Sequence, residues 1–118
     1  MGDAEVGLYY VDYGAGNICS LVNAVTSLGH VIKPVTDPAD IAAASRLIFP
    51  GVGAFGTAMA GLRERGLVEP LRAYIRSGRP YLGICIGMQC LFDGSDESPE
   101  AEGLGIIAGR VSHLGAHP

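Results

Sequence analysis

Apolar residues in this chain fall into short continuous runs that alternate with stretches of helical periodicity. The first run, Gly7-Leu8-Tyr9-Tyr10-Val11, predicts a strand and ends in the turn-rich Asp12-Tyr13-Gly14-Ala15-Gly16-Asn17. Ile18, Leu21, Val22, Val25 and Leu28 then recur at helical spacing, predicting an amphipathic helix with Asn17 as N-cap and Gly29 as stop. Residues 31–35 predict a weaker strand, and Asp37-Pro38 opens a short helical turn through Ile41. Arg46-Leu47-Ile48-Phe49 predicts a third strand, closed by Pro50-Gly51-Val52-Gly53. Helices are predicted over about 57–65 and 68–77, with Gly66 between them, and a fourth strand over Pro80-Tyr81-Leu82-Gly83-Ile84. Residues 86–92 read as a helix, 93–103 as a polar loop, and 104–107 with 110–114 as a short hairpin.

Near-continuously apolar strands alternating with amphipathic helices predict an α/β fold with a parallel sheet covered on both faces. In a doubly wound sheet of this kind ligands bind at the carboxyl ends of the strands. Every glycine-rich loop in this chain falls at such an end, so the chemistry is sought there.

Composition narrows the classes. The 118 residues suit one domain, and 48% hydrophobic content with 18 glycines fits tight turns between buried elements. The net charge of −4, without a basic cluster, gives no electrostatic footprint for nucleic acid. No apolar run approaches the ~18 residues of a membrane span, and the acidic Met-Gly-Asp-Ala-Glu start does not look like a signal or transit peptide. Cys19, Cys85 and Cys90 are an odd count without framework spacing and read as free thiols of a reducing compartment, the cytoplasm. No metal or cofactor motif is evident.

Gly83-Ile84-Cys85-Ile86-Gly87 joins the fourth strand to the helix after it, as a G-x-nucleophile-x-G elbow with cysteine at the nucleophile position. Flanking glycines let strand and helix approach without β-carbon clashes, and a helix N-terminus favours the thiolate. The competing reading is a buried structural cysteine, which suits Cys90 and Cys19 better. Pro50-Gly51-Val52-Gly53 lies where backbone N–H groups would meet a tetrahedral oxyanion, with the N–H of Ile86 as a second donor; by itself it also reads as a tight turn. The segment 12–17 lacks both the G-x-G-x-x-G spacing and a P-loop lysine, which makes a nucleotide site a weak reading.

Asp12-Tyr13-Gly14-Ala15-Gly16-Asn17, Pro50-Gly51-Val52-Gly53 and Gly83-Ile84-Cys85-Ile86-Gly87-Met88-Gln89 together resemble the glutamine amidotransferase subunit or domain of imidazole glycerol phosphate synthase, a class I glutamine amidotransferase of histidine biosynthesis. The Glu-Ser-Pro and Gly-Leu-Gly between Phe92 and Gly105 extend the resemblance, which includes forms fused to the cyclase. It implies a flavodoxin-like fold and glutaminase chemistry without a cofactor, with Cys85 attacking the side-chain amide of glutamine. It implies an oxyanion strand at Gly51, Val52 and Gly53 whose peptide orientation depends on the cyclase partner, and contacts to glutamine from Gln89 and Glu97, the latter through the α-amino group.

The family pairs its cysteine with a downstream His-x-Glu motif. None of His30, His113 and His117 forms one. The expectation is therefore that residues 1–118 are the N-terminal part of the domain, cut after about four main strands, with an exposed sheet edge and an uncovered apolar face. Such a part would not hydrolyse glutamine efficiently. The alternative is a catalytically silent module that docks on the cyclase or on a full-length partner; a cysteine-based redox or chaperone protein fits Met88-Gln89 less well.

Overall fold

Four of the apolar runs form one parallel sheet. The computed structural model describes residues 7–13, 18–51 and 53–112. Strands β1 (Leu8–Val11), β2 (Lys33–Val35), β3 (Arg46–Phe49) and β4 (Tyr81–Gly83) pair in the order β2-β1-β3-β4. Tyr9 stands opposite Lys33 and Leu47, and Leu47 opposite Tyr81. This is the doubly wound, flavodoxin-like order, and its switch point lies between β1 and β3.

Helices α1 (Cys19–Ser27), α2 (Pro38–Ala43), α3 (Phe55–Glu64) and α4 (Val68–Arg76) fill the connections. The predicted cap Asn17 lies outside the described residues; the residue at the N-cap is Ile18, without a side-chain bond, and Gly29 ends the helical segment at φ 90°. Asp37 caps α2 as expected: its carboxylate accepts the Ala39 N–H at 2.8 Å, and Asp40 Oδ2 accepts the Asp37 N–H at 3.3 Å. Asp40 also accepts from the Thr36 amide, the largest of the causes that hold its carboxyl below the usual range.

The core lies on one face of the sheet. Val11, Val35, Leu47 and Phe49 are fully buried against Ile41, Phe55, Met59, Leu62, Leu71 and Tyr74 of the helices. Tyr74 donates from its hydroxyl to the Pro80 carbonyl at 2.7 Å, and the Arg79 guanidinium stacks on its ring at 4.3 Å. On the other face Leu82 is 55% exposed, beside a depression of about 250 Å³ lined by Leu8, Ile48 and Pro80. Leu8 and Tyr10, which alternate with the core-facing Tyr9 and Val11, are buried as well, so the second face is covered at β1 and open at Leu82 of β4. No helix among the described residues is long and apolar enough to cross a membrane.

The C-terminal third departs from the sequence reading. The helix predicted over 86–92 is a single turn, α5 (Ile86–Gln89). It stops because the carbonyls of Cys90 and Leu91 are taken by Leu104 and Ile106, each at 2.8 Å, and that of Phe92 by Gly105 at 3.2 Å. The predicted polar loop is β5 (Phe92–Ser95) and β6 (Ser98–Glu102), an antiparallel pair. Among the described residues the predicted hairpin does not form; β7 (Ile107–Val111) instead pairs parallel with β5, forming a second sheet of order β6-β5-β7. Arg110 fixes that pairing by donating to Asp96 Oδ1 and to the Ser95 carbonyl, both at 3.0 Å.

Replacing Asp37 by Ala should remove the α2 cap and lower stability by about 1 kcal/mol, read as a shifted denaturant midpoint at unchanged slope. A shift within error of zero would show that packing alone holds α2.

Candidate functional site

The end of β4 carries the most constrained backbone. Cys85 sits at φ 53°, ψ −109°, the one non-glycine residue with positive φ among the described residues. A residue held there costs on the order of 1–3 kcal/mol unless its surroundings enforce it. They do so through two glycines. A β-carbon at Gly83 would lie 2.6 Å from the Gly87 carbonyl oxygen, and one at Gly87 would fall on the carbonyl of Phe49. The turn is closed by Ile84 N–H donating to the Phe49 carbonyl at 3.0 Å and by the Tyr81 hydroxyl donating to the Gly87 carbonyl at 2.7 Å. Burial pushes the Tyr81 phenol well above its usual range, so the group remains a donor.

The three thiols differ in setting. Cys85 is exposed at the head of α5, Cys19 is exposed at the start of α1, and Cys90 is buried. Burial pushes the Cys90 thiol up to about 12, which makes it a core residue in this fold. With α5 only one turn long, the helix dipole behind Cys85 is smaller than the predicted helix implied.

The loop after β3 reaches the elbow. The Ile86 N–H, expected as an oxyanion donor, points at the Gly51 carbonyl at 3.4 Å. Gly51 packs against Tyr13, where a β-carbon would come within 2.8 Å of the ring, and Tyr13 in turn meets Phe49 at 5.9 Å between centroids. Gly53 precedes α3 with open space around it. Val52 lies outside the described residues.

Gln89 and Glu97, far apart in reading order, line one depression of about 200 Å³ with Ser95, Val111 and Ser112. Gln89 arrives on α5, and Glu97 on the turn between β5 and β6. Ser95 is buried, and its hydroxyl accepts the Glu97 N–H at 3.2 Å, orienting the turn. Ser95, Val111 and Ser112 were not anticipated, because they meet Gln89 only through the pairing of β5 with β7. The Glu97 carboxylate accepts the Phe55 N–H at 3.4 Å.

His30 follows α1, which runs back along the sheet, so it lies at the end opposite Cys85. His113 and His117 lie outside the described residues. Among the described residues no group of three or more His, Cys, Asp or Glu is placed to hold a metal ion.

Comparisons with known proteins bear on the chain as a whole. The model of the family "Glutamine amidotransferase class-I" matches residues 9–113. The chain is 53% identical over 106 residues to the chloroplastic imidazole glycerol phosphate synthase hisHF of Arabidopsis thaliana, covering 90% of this chain and 18% of that protein. It is 52% identical over 104 residues to the imidazole glycerol phosphate synthase subunit HisH of Lactiplantibacillus plantarum, covering 88% of this chain and 50% of that one. A solved structure, "Crystal structure of glutamine amidotransferase", superposes at TM-score 0.77 with 26% identity, over 93% of this chain and 59% of that chain. The chain thus spans about half the length of the single-subunit relatives it matches.

The Cys90 thiol makes stability pH-dependent. Its folded value, about 12, lies above the ordinary 9.0, so the fold keeps a proton that the unfolded chain releases. That contribution is complete below pH 9 and is lost as pH rises from 9 toward 12; Tyr81 adds with the same sign at higher pH. Denaturant midpoints should fall as pH rises from about 9 to 10.5, and fall less steeply in Cys90→Ala. Parallel slopes in the two proteins would overturn the assignment. Gly87→Ala should cost on the order of 3 kcal/mol or prevent folding, which circular dichroism and denaturant titration would report.

Proposed function

The chain belongs to the class-I glutamine amidotransferase family, and from that premise we propose that it supplies the nucleophile and the glutamine pocket of the ammonia-producing part of an imidazole glycerol phosphate synthase. The observation that carries this reading is Cys85, exposed at φ 53° between two glycines that leave no room for a β-carbon.

The Cys85 thiolate attacks the side-chain amide carbon of glutamine and forms a tetrahedral oxyanion. The C–N bond then breaks as the nitrogen takes a proton; ammonia leaves, and a γ-glutamyl thioester remains. Water hydrolyses the thioester to glutamate and regenerates the thiol. Gln89 and Glu97 hold the substrate, the carboxylate of Glu97 meeting the α-ammonium. Gly51, Val52, Gly53 and Ile86 stabilise the oxyanion, which requires the Gly51 carbonyl to release the Ile86 N–H. Ammonia passes to a cyclase, separate or fused; the names of the relatives include both arrangements.

Residues 1–118 form the nucleophile-bearing part of the domain, and the general base comes from outside them. This rests on the absence of a His-x-Glu motif and on the position of His30 at the far end of the sheet.

A chloroketone analogue of glutamine should alkylate Cys85 with saturable kinetics and spare Cys90, and Cys85→Ala should abolish the labelling. Equal modification of Cys85 and Cys90 would overturn the elbow assignment. Glutamine turnover by this chain with a cyclase should fall at least about a hundredfold below that of an assembled amidotransferase. Turnover at the assembled rate would show that the base lies within the 118 residues.

A further inference from the structure

Helix α3 begins at Phe55, directly after the oxyanion loop, yet it has no cap of its own. The N-cap residue is Ala54, which offers no side-chain acceptor, and the first N–H groups of a helix need one. The acceptors come from the turn between β5 and β6. Glu97 Oε1 accepts the Phe55 N–H at 3.4 Å, and Ser98 Oγ accepts the Gly56 N–H at 3.0 Å, each from 42 residues downstream. The approach is close: a β-carbon at Gly56 would lie 2.9 Å from Ser98 Oγ. Gly51 is therefore tied to the elbow through Ile86, and the start of α3 to the turn that carries Glu97.

We infer that Ser98 is a positioning residue of the glutaminase reaction: its hydroxyl holds the start of α3, and with it the oxyanion loop, at a fixed distance from the substrate-binding carboxylate of Glu97. The inference rests on the glutamine site proposed above. Of the two caps, the Glu97 bond is long and is the one a substrate ammonium competes for. Ser98 makes the shorter bond and has no part in holding the substrate. When glutamine occupies Glu97, Ser98 alone keeps the loop in register. A shift of the loop of about 1 Å would cost on the order of a hundredfold in rate, whereas glutamine affinity, set by Gln89 and Glu97, would change little.

Helix α3 and β6 also pack on each other away from Ser98. Phe55 and Ala101 are buried there, so Ser98→Ala should leave the fold in place. The test uses the 118-residue chain and the chloroketone, whose carbonyl acquires negative charge as the sulfur adds. In Ser98→Ala the saturating labelling rate at Cys85 should fall ten- to a hundredfold with half-saturation within about twofold. Alkylation of Cys85 by iodoacetamide, which needs no oxyanion site, should not change. Ser98→Thr, which keeps the hydroxyl, should restore the rate. An unchanged saturating rate in Ser98→Ala, beside normal wild-type labelling, would overturn this inference alone. Cys90 becoming reactive in that variant would also overturn it, because the hydroxyl would then support the fold at large. Absence of saturable labelling in the wild-type chain would overturn the proposed function and this inference with it.

Discussion

The backbone of α5 lies against the carbonyl of Phe49 with no space between them for a β-carbon, and much of the site follows from that contact. It demands glycine at 87; the facing strand residue, Gly83, is under the same demand from the Gly87 carbonyl. Between two such points the chain must reverse within three residues, and Cys85 takes the strained conformation that results. The strain, of order 1–3 kcal/mol, is held by bonds that do not involve the cysteine: Ile84 to Phe49 and Tyr81 to Gly87. Burial of Ile86 and Cys90 anchors the helix from the core side. Cys85 is thus left with its side chain turned to solvent while its backbone is fixed by its neighbours.

That contact was legible in the sequence because glycine spacing records a steric demand directly. Strands β1 to β4 were legible for a similar reason: a buried strand has to be apolar, and Leu8–Val11 and Arg46–Phe49 are nearly so. The second sheet left no such record. Ser98–Glu102 reads Ser-Pro-Glu-Ala-Glu, with only Ala101 buried, and Phe92–Ser95 pairs through backbone and through Arg110 rather than through an apolar face. The partners of β5 in β7 lie far along the chain, Phe92 facing Ile107 and Ser95 facing Val111, so local periodicity cannot find that pairing. The helix predicted past Gln89 failed for the same reason. Cys90, Leu91 and Phe92 continue the apolar pattern, but their carbonyls are bonded to residues 104–106. Gln89 and Glu97 were anticipated through family resemblance; Ser95, Val111 and Ser112 depended on a pairing the sequence did not reveal.

The two sheets divide the work at the site. The parallel sheet presents Cys85 and the loop after β3, both at carboxyl ends of its strands, as open α/β sheets do. The smaller sheet presents Glu97 and closes the depression with Ser95 and Val111. Helix α3 joins the two, since it starts after the loop that follows β3 and its first N–H groups end on the turn of the smaller sheet.

The bond from Ile86 N–H to the Gly51 carbonyl bears on how such a site is turned on. At 3.4 Å it is at the weak end of the range for N–H···O bonds, and a neutral bond contributes only about 0.5–1.5 kcal/mol net. A bond to an ionised acceptor is roughly twice as strong, so a developing oxyanion would win the Ile86 N–H from Gly51. The obstacle is geometric rather than energetic at Ile86 itself. The Gly51 carbonyl must turn away, and Gly51 is confined by the Tyr13 ring, where even a β-carbon does not fit. Tyr13 follows β1 and packs on Phe49, so the freedom of the Gly51 peptide is limited by that ring.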